Sequence, residues 1–135
     1  MDMDPNLWPE LEEYKTITLT DDGEVFTIVD EETYSDLIQW KWHLYNWRGK
    51  QYAKRTRNKH DHWNTPKSIY MHRYLAGKYL WKPSNSHYIV DHKFSNGLDN
   101  RLSMLVWATP RQNRLNMYGM WWQQKDFIKD LEKNE

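Results

Sequence analysis

YIVDHKFSNGLDNRLSMLVWATPRQNRLN, residues 88–116, is the stretch that decides the fold of this chain. The apolar run Tyr88-Ile89-Val90 reads as a strand that delivers Asp91 and His92 to its end. A loop rich in Gly and Asn follows, then a second short strand over residues 105–108, then a helix. Thr109 is a good N-cap for that helix, Pro110 suits its first turn, and Asn113 rides on it. The result is a β–loop–β–helix unit from which a carboxylate, an imidazole and a carboxamide project off separate elements. Hydrolysis of a phosphodiester needs a base to take a proton from water, and a cation to neutralise charge on the phosphorane and the leaving oxygen. Histidine, with an ordinary pKa of about 6.5, can be that base at neutral pH. Asp and Asn oxygens are hard ligands suited to Mg²⁺ or Mn²⁺.

Upstream, the pattern predicts a hairpin over residues 14–20 and 25–29, with Asp21-Asp22-Gly23 as its turn. Asp30 is the expected cap of a short helix over residues 31–39. A strand over residues 40–45 is expected next, then a turn containing Gly49, then a strand over residues 51–57. In that last strand Ala53, Arg55 and Arg57 share one face and Tyr52 and Lys54 the other. A polar loop spans residues 58–66, a strand residues 67–71, and a helix residues 72–79. Residues 1–13 read as an acidic arm. A final helix over residues 120–133 carries the apolar stripe Trp121, Phe127, Ile128 and Leu131, read as core packing. The expected class is α+β: a small antiparallel sheet with a helix, then the β–loop–β–helix unit, then a closing helix. The divisions are 1–13, 14–66, 67–118 and 119–135.

With 135 residues the chain fits one domain or two small lobes around a shared core. Nine Trp, nine Tyr and three Phe supply the apolar area for that core despite a low mean hydropathy. The absence of Cys excludes disulfide frameworks and thiolate metal sites. No apolar run approaches the ~20 residues of a membrane helix, and the acidic start MDMDPNLWPE lacks the apolar segment of a signal peptide. A soluble protein of the cytoplasm is the expectation.

The net charge of zero conceals a sorting of charge along the chain. Residues 1–38 hold 12 acidic side chains and one basic, whereas residues 39–115 hold 15 Lys or Arg, three Asp and all six His. A basic block of this kind is the footprint of phosphate contacts. Its other reading is pairing with the acidic block inside the fold.

The joint pattern Met71-His72-Arg73, Val90-Asp91-His92, Leu98-Asp99-Asn100-Arg101, Leu105, Thr109, Gln112-Asn113 and Asn116 resembles the HNH (ββα-metal) endonucleases of phages and mobile introns. The segment GEVFTIVDEETYSDLIQWKWHL, with QYAKR after it, is similar to the AP2-like three-stranded module that precedes the unit in such proteins. The resemblance covers about residues 15–116. It implies that His92 activates water and that Asp91 and Asn113 bind one divalent ion, Mg²⁺ first, with Mn²⁺ or another as alternatives. It implies too that Asn100, grouped with His92 as a catalytic candidate, and Arg101 shape the loop or touch the scissile strand. One position departs from the pattern. The family carries an Asn that orients the histidine where this chain has Met104, and methionine forms such bonds only weakly. Losing an orienting partner commonly costs about 10–100-fold, and Asn100 is the candidate substitute.

Double-stranded DNA is the partner the resemblance implies, bound by a monomer or a homodimer. Arg48, Lys50, Lys54, Arg55 and Arg57 crowd one hairpin. They read either as a solvated, aggregation-resistant edge or as a β-ribbon on DNA, and the AP2-like resemblance favours DNA. Arg111 and Arg114 flank Asn113 as phosphate-contact candidates. The His72-Arg73 pair has two readings, packing at the strand–helix junction or phosphate contact, or both together, and packing is favoured. His60 and His62 lack the further ligands of a zinc site. Three functions follow: a DNA-nicking enzyme, a DNA-binding descendant disabled at Met104, and a protein-binding module that uses the sorted charge.

Overall fold

The computed structural model describes residues 13–116. The acidic arm, apart from its last residue, and the expected helix over residues 120–133 with its apolar stripe lie outside the described residues. In chain order the elements are β1 (Tyr14–Thr18), β2 (Phe26–Asp30), α1 (Glu31–Leu37), β3 (His43–Trp47), β4 (Lys50–Thr56), β5 (Ser68–Tyr70), α2 (Met71–Tyr79), β6 (Ile89–His92), a 3₁₀ turn (Leu102–Met104), β7 (Leu105–Ala108) and α3 (Pro110–Asn116). The strands form three small antiparallel sheets, β1-β2, β3-β4-β5 and β6-β7, so the class is α+β.

The β1–β2 turn forms because Gly23 takes φ +75° and Asp22 Oδ1 accepts the Thr20 hydroxyl at 2.6 Å and the Glu24 N–H at 3.0 Å. In β2 the inward face is Thr27 and Val29, both fully buried. Asp30 precedes α1 as expected but does not cap it; its Oδ2 instead accepts the Leu102 N–H at 2.7 Å, 72 residues on. The helix ends at Leu37, and the Trp42 indole N–H donates to the Leu37 carbonyl at 2.8 Å. That bond fixes residues 38–42 as a connection, so the strand expected from residue 40 starts at His43.

The core is one cluster. Leu19, Val29 and Leu37 from the N-terminal third meet Trp42, Ala53, Met71 and Leu75 from the middle and Val90, Leu105 and Trp107 from the β6–β7 hairpin. The outer edge of β2 also binds the loop between β6 and β7. The Ile28 N–H donates to the Leu98 carbonyl at 2.8 Å, and the Asn100 N–H donates to the Ile28 carbonyl at 2.7 Å. The same loop presses on β4 at Gly97, where a β-carbon would sit on the Gln51 carbonyl oxygen and 2.9 Å from the Tyr52 ring. Glycine is required there by space. Among the described residues no helix is long and apolar enough to cross a membrane.

Candidate active site

β6 ends on Asp91-His92 because Ile89 and Val90 pair with Ala108 and Trp107 of β7, which carries the strand out of the core. α3 starts where it does because of a reciprocal cap. The Gln112 N–H donates to Thr109 Oγ1 at 3.1 Å and the Thr109 N–H donates to Gln112 Oε1 at 2.9 Å. This cap aims Asn113 back toward β6. Asp91, His92 and Asn113 together line a surface hollow of about 430 Å³, with Tyr52 and Lys50 from β4 and His72 from α2 on its other walls. An adjoining hollow shares Asp91, His92 and Asn113 and adds Arg48, Gly97 and Asn116. The three residues expected to converge line one recess.

His92 is held from three sides and is 5 % exposed. Its N–H donates to Asp91 Oδ1 at 2.9 Å, its carbonyl accepts the Asn116 side-chain amide at 3.0 Å, and its Nε2 lies 2.9 Å from Asn100 Oδ1. Nδ1 makes no hydrogen bond among the described residues. Asn100 is fully buried. Its carboxamide is therefore turned away from the surface and engages His92 rather than the hollow. Met104 contributes its main chain, whose carbonyl accepts the Lys93 N–H at 2.9 Å.

Burial holds the His92 pKa below the ordinary histidine value, opposed by the hydrogen bond to Asn100 and the charge of Asp99. Burial, with smaller contributions from His92 and Arg73, pushes His72 down to about 3. Burial raises the Tyr52 phenol, helped by the Asp91 carboxylate and Tyr70. Both imidazoles are consequently neutral at pH 7, as a proton acceptor must be, and Tyr52 keeps its proton.

Among the described residues no group of three or more His, Asp or Glu could hold a metal ion. Asp91 and Asn113 provide one carboxylate and one carboxamide to the hollow, and Asn116 Oδ1 is sealed beneath it without a partner. Such an all-oxygen set fits an ion like Mg²⁺, which keeps several waters and takes one or two carboxylates plus phosphate oxygens. It does not fit structural zinc.

The basic residues divide. Lys50 and Arg48 are exposed at the rim of the hollows, and Arg48 lies over the Trp47 ring at 4.8 Å with φ +47°. Lys54 stands over the Tyr45 ring at 3.9 Å on the same face of β4. Arg73 is exposed on the hollow's wall and donates to the Tyr88 carbonyl at 3.2 Å. Arg111 and Arg114 are exposed on α3.

Three of the residues expected to contact DNA are engaged within the protein. Arg55 is 4 % exposed, pairs with both Asp61 oxygens at 3.0 Å and lies over the Trp40 ring at 4.2 Å. It faces inward because it shares its side of β4 with the buried Ala53. Arg57 turns into the following loop, donating to the carbonyls of Trp63 at 3.1 Å and Thr65 at 2.6 Å. Arg101 forms a two-pronged pair with Asp99 at 2.8 Å and lines a different hollow, with Glu13, Asp30, Glu31 and Glu32. An acidic surround of this kind repels phosphate.

Three site residues carry no role in the sequence reading, Tyr52, Gly97 and Asn116, and His72 is read there only as junction packing or a phosphate contact. Tyr52 shares its face with Lys50 and Lys54 by strand alternation, which is the signal that could have found it. His72 stands with its ring 4.9 Å from that of His92, a juxtaposition no local spacing encodes. Comparison of the chain with family models, with curated proteins and with solved structures finds no match.

Proposed function

We propose that the protein is a metal-dependent DNA endonuclease of the HNH (ββα-metal) type. The observation that carries this reading is the shared hollow of Asp91, His92 and Asn113, with His92 tethered through Nε2 and its Nδ1 left without a hydrogen bond. Nδ1 of His92 takes the proton from an attacking water. Asp91 and Asn113 would hold a divalent ion, which would supply charge neutralisation for the phosphorane and the leaving oxygen. Lys50 and Arg48 at the rim position the phosphate backbone on either side of the scissile bond. A lone hollow serves one strand per encounter, so the expected product is a nick, and a double-strand cut needs two copies or two encounters.

Supercoiled plasmid with Mg²⁺ or Mn²⁺ tests this. The expected result is conversion to nicked circles, abolished by His92→Ala with DNA affinity retained. Binding without nicking in either metal would overturn the enzyme reading in favour of a DNA-binding protein. Absence of DNA affinity at moderate salt would overturn both and leave the protein-binding module. Engagement of His92 by Asn100 supports the enzyme over the disabled descendant, because the orienting bond survives the Met104 substitution.

A further inference from the structure

Behind His92 lies a chain of buried polar side chains that reaches into the N-terminal hairpin. Thr27 of β2 and Asn100 are fully buried, and His92 nearly so. The Thr27 hydroxyl donates to the Leu98 carbonyl at 2.7 Å. That acceptor is a carbonyl, so the one hydroxyl proton is committed and Oγ1 offers only lone pairs elsewhere. Its second neighbour, the Asn100 carboxamide at 2.9 Å, must then present its NH₂ group. A separate contact fixes the same orientation: the other hydrogen of that NH₂ points at the Met71 thioether, 3.5 Å away, which carries no proton to give. A flipped amide would set oxygen against sulfur and against an oxygen whose proton is already used. Asn100 Oδ1 therefore faces His92 and can only accept, which puts the proton of the neutral ring on Nε2. The lone pair is left on Nδ1.

We infer that Thr27, a positioning residue in the N-terminal hairpin, sets the tautomer of His92 through Asn100. The polarity runs one way, from His92 Nε2–H to Asn100, from Asn100 to Thr27, and from Thr27 to the Leu98 carbonyl. The consequence for catalysis rests on the reading of His92 as the base; the tautomer itself does not. β2 fixes both of Thr27's partners, because its Ile28 main chain bonds to Leu98 and to Asn100. The part of the chain that resembles a DNA-binding module thus completes the catalytic histidine.

Metal-free protein carrying ¹⁵N-histidine, at a pH where the imidazoles are neutral, reports the tautomer by long-range ¹H–¹⁵N correlation, with His92→Gln to assign the ring. The wild type is expected to show Nε2–H alone. Thr27→Val, which replaces the hydroxyl by a methyl of the same volume, is expected to give a mixture of Nε2–H and Nδ1–H. It is also expected to lower the nicking rate about tenfold or more with DNA affinity unchanged. Thr27→Ser is expected to restore both. Where valine does not fold, Thr27→Cys keeps a small, weaker hydrogen-bonding group and is expected to give partial mixing. A wild-type Nδ1–H ring, or a folded Thr27→Val or Thr27→Cys protein that keeps Nε2–H alone, overturns the relay. Because the spectrum is read without DNA or metal, an inactive protein with the expected tautomers sinks only the enzyme reading. An active one that depends on His92 but keeps its tautomer in Thr27→Val sinks only the relay.

Discussion

At the scale of single residues, position on a strand decides which cationic side chains stand at the hollow and which are sealed inside. Arg55 and Lys50 are both cationic residues of β4, yet one is sealed against Asp61 and Trp40 and the other stands at the rim of the hollow. Lys50→Ala is expected to reduce by about 0.9 the slope of log affinity against log salt, measured by titration at several salt concentrations, because one phosphate contact is lost. Arg55→Met is expected to leave that slope unchanged and to lower the urea midpoint. The alternation of β4 already placed Arg55 beside Ala53, so its inward face was legible once charge was given less weight than period. Gly97 is decided differently. A methyl at that position meets the Gln51 main chain, and Gly97→Ala is expected to cost about 1–3 kcal/mol in urea unfolding, as overpacking does. Nothing local in SNGLD marks that glycine as a contact point rather than a turn.

At the scale of elements, α3 and the β6–β7 hairpin behave as their sequences dictate. The T-x-x-Q spacing of Thr109 and Gln112 produces the reciprocal cap. Thr109→Ala is expected to destabilise by about 1 kcal/mol. It is also expected to slow nicking more than its effect on stability explains, because the cap aims Asn113; stability by denaturant and rate on plasmid, compared in one variant, check this. α1 shows the limit of such reasoning. Asp30 has the residue type and position of a cap, but its carboxylate bonds across the molecule to Leu102. A long-range N–H competes with the local ones, and no propensity scale contains that competitor.

At the scale of the whole molecule, titratable groups held away from their ordinary pKa values set the response to acid. His72 titrates at about 3 in the folded protein, against the ordinary histidine value of 6.5. Between those values the unfolded chain binds the extra proton, so stability rises with pH across about 3–6.5 and is flat above. Asp61, held down to about 2 by Arg55 from the ordinary 3.8, adds stability above 3.8 that is lost as pH falls toward 2. Unfolding midpoints are therefore expected to fall with pH in two windows, with His72→Gln reducing the slope of the upper, to which His92 also contributes, and Arg55→Met that of the lower. The proposed nicking activity has its own expected signature. The base must be unprotonated and the His92 pKa is depressed, so the acid limb of the rate profile is expected below pH 6.5.

By itself the sequence determined the elements that local chemistry controls. These are the β6 strand ending in Asp91-His92, the capped helix that carries Asn113, and the hairpin turned by Gly23. Period, cap residues and glycine conformations act over a few neighbours, and those neighbours are written consecutively. Only the tertiary structure decided what holds the imidazole. Thr27, Asn100 and Met71 come from three distant stretches and meet because the free edge of β2 takes up the β6–β7 loop. The sorting of the arginines was settled there as well. Burial and pairing depend on which surfaces close on each other, and a one-dimensional count of charge does not contain that.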